Sequence, residues 1–237
     1  MARKLRLFAN DIPCHIIQRG NNKCPVFFTD RDRTIFLEII YEAKRKHPCE
    51  IFSYCLMDNH FHLLINPKDK ENPSLLMKFL GAKFVRYINK TQQRTGTLWE
   101  GRFRSSLIDE QLYFITCLRY IEMNPVRAGL VASPELCRWT SYRFRAYGEK
   151  NFILDLDPWY QSLSSDPEER QRQYRRFFAT SLSDSELKLI RQATNKCSIL
   201  GSAQWKERLE NLLQQELIMR PPGRPVKMGS ELFKKQF

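Results

Sequence analysis

Apolar residues recur along this chain at two different periods, and the switches between them mark out the elements. Cys14-His15-Ile16-Ile17-Gln18-Arg19 reads as a short strand running into a turn at Gly20-Asn21-Asn22. Thr29 or Asp30 then caps a helix in which Ile35, Phe36, Ile39, Ile40 and Ala43 repeat at spacings of three and four; Lys44, Arg45, Lys46 and His47 fall in its last turn and Pro48 stops it. Residues 50–57 form a second strand, Asp58-Asn59 a tight turn and residues 60–66 a third strand, so the pair is a β-hairpin.

Asn72-Pro73 opens a second helix, with Leu75, Leu76, Phe79, Leu80, Phe84, Val85 and Ile88 as its apolar stripe and Lys78, Lys83, Arg86 and Lys90 on the other face. No acidic residue interrupts residues 74–98, so this basic face lacks the partners that usually accompany surface lysines. Residues 98–108 are a loop feeding a fourth strand, where Trp99 and Phe103 alternate with Arg102 and Arg104. That interleaving suits a nucleic-acid surface, and core packing of the two rings is the equal alternative. A third helix, capped by Asp109, runs through Leu112, Phe114, Ile115, Leu118 and Tyr120 to Asn124 and is ended by Pro125.

The order β-α-β-β-α-β-α predicts an α+β, ferredoxin-like split βαβ fold. It has a four-stranded antiparallel sheet, with helices on one face and the other face free. Residues 1–148 form this domain, 149–219 a mostly helical extension with helices over 168–179 and 184–193, and 220–237 a basic Pro/Gly-rich tail. Three prolines between Pro221 and Pro225 exclude regular structure there and suit an extended arm in a DNA groove.

Composition narrows the function. With 42% hydrophobic and 12% aromatic residues the chain can bury a core, and no apolar run approaches the roughly 18 residues of a membrane span. No signal peptide is apparent, which points to a cytoplasmic protein. Seven cysteines, scattered and without a Cys-x-x-Cys pair, argue against a disulfide framework or a structural zinc site. The net charge of +13 is uneven: residues 1–150 hold 25 basic against 15 acidic residues, the remainder 14 against 11. A field of that sign favours a polyanion, most simply nucleic acid.

The chemistry lies in the hairpin. On a strand, His60 and His62 point one way while Phe61 and Leu63 point the other, which makes a pair of imidazoles backed by core. His15 and His47 stand elsewhere in the pattern, so a third ligand would be a carboxylate, an amide or the substrate. Tyr120 and Asn124, four apart on the third helix, share a face, and Asn124 can supply an amide oxygen beside the histidines. Equally, Tyr120 can be a core residue before an Asn-Pro helix stop. Two imidazoles, one amide and open positions suit Mg²⁺ or Mn²⁺ with a phosphate oxygen. In-line attack by Tyr120 on that phosphate, expelling a 3′-hydroxyl, would follow.

His60-Phe61-His62, followed sixty residues later by Tyr120-Ile121-Glu122-Met123-Asn124-Pro125-Val126-Arg127-Ala128-Gly129-Leu130, resembles the HUH single-tyrosine transposases, most nearly their REP-associated branch. Weaker matches at Trp139-Thr140-Ser141-Tyr142, Ile190-Arg191-Gln192-Ala193 and Gly223-Arg224-Pro225 extend the resemblance. It implies His60, His62 and Asn124 as metal ligands and Tyr120 as nucleophile. The implied activity is cleavage and joining of single-stranded DNA at palindromic, REP-like hairpins through a 5′-phosphotyrosine, in the bacterial cytoplasm at the nucleoid. Asparagine stands where insertion-sequence members commonly carry glutamine, which favours the domesticated branch. Arg19, Lys83, Arg86, Arg102, Arg104, Arg127 and Arg224 are the candidate DNA contacts, and the working form is a monomer or homodimer. The alternative from another class is a protein that binds single-stranded nucleic acid without cutting it.

Overall fold

A computed structural model describes residues 6–108 and 111–218, so the expected Asp109 cap, the 220–237 tail and Arg224 lie outside the described residues. Through Ser202 the chain makes one compact unit; Ala203–Ile218, a helix, belongs to a second.

Five strands form one sheet: β1 (Cys14–Arg19), β2 (Cys49–Met57), β3 (His60–Pro67), β4 (Arg104–Ile108) and β5 (Ile199–Leu200), in the order β2-β3-β1-β4-β5. The first four are antiparallel as the pattern predicts, and the hairpin turns at Asp58-Asn59. The short fifth strand is a departure: it adds parallel to β4 at the sheet edge. A two-residue strand carries no periodicity of its own, so its place becomes visible only once β4 offers an open edge.

The helices α1 (Asp30–Lys46) and α2 (Asn72–Thr91) cover one face of the sheet, where Phe36 packs on Phe61 and Phe84, and Trp99 joins them. Thr29 caps α1 in a reciprocal capping box with Asp32. At the start of α2, Asn72 is already helical, and its side chain donates to the Pro48 carbonyl rather than capping. Trp99 and Phe103 are both buried, so the aromatics of the β4 approach are core, while Arg102 and Arg104 are exposed.

The second face is not free, as the sequence order suggests; it is covered too. Helix α3 (Gln111–Glu122) lies on it through Phe114, Cys117, Leu118 and Ile121. It is followed by the single turn α4 (Asn124–Arg127), and α5 (Tyr142–Tyr147), α6 (Pro158–Ser162), α7 (Pro167–Phe178) and α8 (Asp184–Lys196) complete the layer. Tyr142, Tyr160, Tyr174, Phe178 and Ile190 join Phe52 and Leu64 in one buried cluster. The reason is in β2, whose residues from Ile51 to Met57 are all buried: a strand apolar on both faces needs a layer on each. Pro125 does not end the polypeptide's helical course but sits in the first turn of α4, so α3 breaks at Met123 and resumes.

Candidate active site

The antiparallel register decides what meets what on the second face. Residues directly opposite one another in neighbouring strands share a face. His60 is opposite Arg19, His62 opposite Ile17, and Ile17 in turn opposite Arg104. His60 and His62 therefore stand in rows with Arg19 and Arg104. His15, one step along β1, is on the same face.

Across that face the break between α3 and α4 presents two side chains. The ring of Tyr120 stands edge-on to His62, with centroids 5.8 Å apart, and 6.0 Å from His15. The amide of Asn124 reaches His62 Nε2 at 2.7 Å. The rings of His60 and His62 lie 5.0 Å apart and almost perpendicular. His60 Nδ1 is engaged by Asn59 Oδ1 at 2.6 Å, which leaves its Nε2 for the site. The structure thus brings together all four residues that the sequence nominated for the chemistry.

Burial keeps the imidazoles neutral. It holds His60 down at about 4, with the Arg19 charge adding to the effect, and His15 at about 3; it holds His62 well below the usual histidine range. Neutral rings are the form that binds cations. Among the described residues no three His, Cys, Asp or Glu side chains gather into a metal cluster, so a cation here would take its third protein ligand from Asn124. The donor set of two imidazole nitrogens and one amide fits a divalent ion that keeps positions for phosphate oxygens.

Arg127 closes one side. Its guanidinium lies 4.1 Å from the centroid of the Tyr120 ring and donates to the Tyr120 carbonyl at 2.7 Å. Burial lowers its pKa, and the nearby Arg191 of α8 acts in the same direction. On the other side, a cleft of about 430 Å³ opens from His60 and is lined by Arg19, Arg102, Arg104 and Gly101. Arg19 pairs there with Glu100, at 2.6 Å, and Arg104 with Asn195, at 2.5 Å.

Lys83 and Arg86 are elsewhere. Both are exposed on α2, the helix that covers the opposite face, and Lys83 pairs with Glu42 of α1. A basic helix face is visible in the sequence, but which side of the sheet receives the helix is not.

Sequence reasoning missed His15 and the α8 residues Thr194 and Asn195. His15 is fully buried, with Nε2 2.8 Å from His62 Nδ1 and Nδ1 3.1 Å from Thr194 Oγ1. Its alternation with Arg19 on β1 is the signal that could have placed it on the site face.

Behind Tyr120, Glu122 anchors α3. Fully buried, it accepts from the Ser141 hydroxyl at 2.5 Å and the Tyr174 hydroxyl at 2.6 Å, and lies 3.6 Å from Arg145, which bonds Asp157 at 2.7 Å. Burial raises the Glu122 pKa while Arg145 and the hydroxyls oppose that rise. Two carboxylates around one arginine thus tie α3 to α5, α6 and α7 in a dry interior.

The chain is similar to known proteins over the segment that carries this site. The family model described as "Transposase IS200 like" matches residues 9–124. A protein of Haemophilus influenzae Rd named as a REP-associated tyrosine transposase is 27% identical over 126 residues, a match that covers 44% of this chain and 72% of that protein. A solved structure of a REP-associated tyrosine transposase bound to a REP hairpin shares 18% identity. It superposes with a TM-score of 0.54, covering 66% of this chain and 93% of the other, and at that identity the likeness establishes the fold. His60, His62, Tyr120 and Asn124 all fall inside residues 9–124, the segment of this chain that is similar to the IS200-like transposase family.

Proposed function

We propose that the protein cleaves and rejoins single-stranded DNA at palindromic, REP-like hairpins in the bacterial cytoplasm, with Tyr120 as nucleophile. The observation that carries this reading is the convergence of Tyr120, Asn124, His60 and His62 on one face of the sheet, where His60 also lines an arginine-rich cleft. The H. influenzae relative and the hairpin-bound structure support a palindromic DNA substrate.

The residues divide the work. Arg19, Arg102 and Arg104 hold the backbone that enters the cleft. His60, His62 and Asn124 would hold Mg²⁺ or Mn²⁺, which when bound draws charge from a non-bridging phosphate oxygen. Tyr120 Oη forms a bond to phosphorus as the P–O3′ bond breaks, the phenol loses its proton to solvent, and the 3′ oxygen takes one up as it leaves. The protein then carries the 5′-phosphate of the downstream strand, and attack by a 3′-hydroxyl reverses the step. Arg127, with its guanidinium over the phenol ring, keeps it from rotating out of line and sets a positive charge beside the ring as the phenolate forms.

A denaturing gel of full-length protein with a 3′-end-labelled single-stranded hairpin and Mn²⁺ or Mg²⁺ tests this. The expected result is a metal-dependent covalent adduct in the wild type that is lost in Tyr120→Phe and in His62→Ala. Adduct formation by Tyr120→Phe would make another residue the nucleophile. DNA binding with no adduct in the wild type would leave a binding protein in place of an enzyme.

A further inference from the structure

The three groups behind His62 form a directional chain. The Thr194 hydroxyl donates to the Ile190 carbonyl one turn earlier in α8, at 2.9 Å, so its oxygen can only accept from His15 Nδ1. His15 therefore carries its proton on Nδ1 and offers a bare Nε2 to His62 Nδ1, 2.8 Å away. His62 then donates from Nδ1, and its own Nε2 carries the lone pair that meets the Asn124 amide. Both ends of the chain set the same direction: the threonine proton is engaged at one end, and an N–H donor faces Nε2 at the other. No titration is involved, since both rings stay neutral throughout.

We propose that His15 and Thr194 are positioning residues that lock His62 in the Nδ1–H form, so that its Nε2 lone pair faces the site. The inference rests on the reading of His62 as a metal ligand given above. Nδ1–H is the minor tautomer of a free imidazole, so a histidine that must present Nε2 gains from a partner that holds the proton on the far nitrogen. The His15 and His62 rings lie within 20° of parallel with centroids 5.0 Å apart, the near-coplanar, edge-to-edge arrangement that a hydrogen bond between ring nitrogens requires. The chain also makes α8, far along the sequence, part of the site: its Thr194 sets the direction of a hydrogen-bond series that ends at Asn124.

Full-length protein labelled with ¹⁵N at histidine tests the chain without metal or DNA, by long-range ¹H–¹⁵N correlation of the imidazole rings. Both His15 and His62 are expected as Nδ1–H tautomers in the wild type. Mn²⁺ titration followed by electron paramagnetic resonance supplies the second readout. Thr194→Val, close in shape but without the hydroxyl, should weaken Mn²⁺ binding by roughly 10-fold, the lower end of the range for losing the direct partner of a ligating histidine, since Thr194 acts through His15. Thr194→Ser should restore both the tautomers and the affinity. An Nε2–H tautomer at His62 in the wild type overturns the proposal, as does Thr194→Val with unchanged tautomers and Mn²⁺ affinity. Nδ1–H tautomers in a wild type that binds no Mn²⁺ would support the chain and overturn the metal reading instead.

Discussion

Tyr120 is 8% exposed, and its ring packs against His15, His62 and Arg127. The Arg127 guanidinium does two things there, stacking on the ring and bonding the backbone of the residue it stacks on. A lysine would keep the charge but neither the flat stack nor the fixed fork. Arg127→Lys is expected to slow adduct formation about ten-fold, the equivalent of roughly 1.4 kcal/mol in a stacked cation. Single-turnover rates at saturating DNA check this; an unchanged rate would make Arg127 a mere structural neighbour. The proposed nucleophile and the three candidate ligands could be nominated from the sequence because each is a chemically distinctive side chain at a helical or strand spacing. His15 was not, because a histidine in an apolar run looks like any buried polar residue until the register sets it beside His62.

At the scale of elements, α3 matters most, since it carries Tyr120, the proposed nucleophile, and is secured from behind by Glu122. In this interior Arg145 is fully buried between Glu122 and Asp157. Burial works against its charge, yet Asp157 and Glu122 raise its pKa above the ordinary value. Removing one carboxylate leaves the arginine half-compensated in a dry place, and Glu122→Ala is expected to cost about 3–5 kcal/mol of stability. Urea denaturation followed by circular dichroism measures it, and a loss under about 1 kcal/mol would show that water enters to replace the carboxylate. The sequence predicted α3 and its tyrosine face but read Glu122 only as a letter in a motif. Its partners Ser141, Arg145 and Tyr174 lie 19 to 52 residues further on, and no local period reports a contact of that range.

For the whole molecule, the sheet separates two charged surfaces. Arg19, Arg102 and Arg104 gather at the cleft, while Lys83 and Arg86 project from the helix layer behind it. Phosphate contacts set the salt dependence of binding, so replacing a contacting arginine by alanine should flatten the plot of log affinity against log salt by about 0.7 for a single strand. Arg102→Ala and Arg104→Ala are expected to do so, and Lys83→Ala and Arg86→Ala to leave the slope unchanged within about 0.2. Fluorescence anisotropy with a labelled hairpin at several salt concentrations decides; an equal change in all four would mean that DNA also crosses α2. Among the described residues no helix is long and apolar enough to cross a membrane.

Taken alone, the sequence determined the local elements, the four-strand antiparallel core, the His60–His62 pair and the helical spacing of Tyr120 and Asn124, because each depends on a period of two or of three to four residues. Tertiary structure decided that a second helix layer covers the site face and that Trp99 and Phe103 are core. It alone placed Lys83 and Arg86 away from the cleft, and it brought His15 and Thr194 behind His62 from 179 residues apart. The physical reason is common to all of these: a side chain's period states which face of its own element it occupies, whereas its neighbours follow from strand register and layer packing, which are set by contacts between residues distant in the chain.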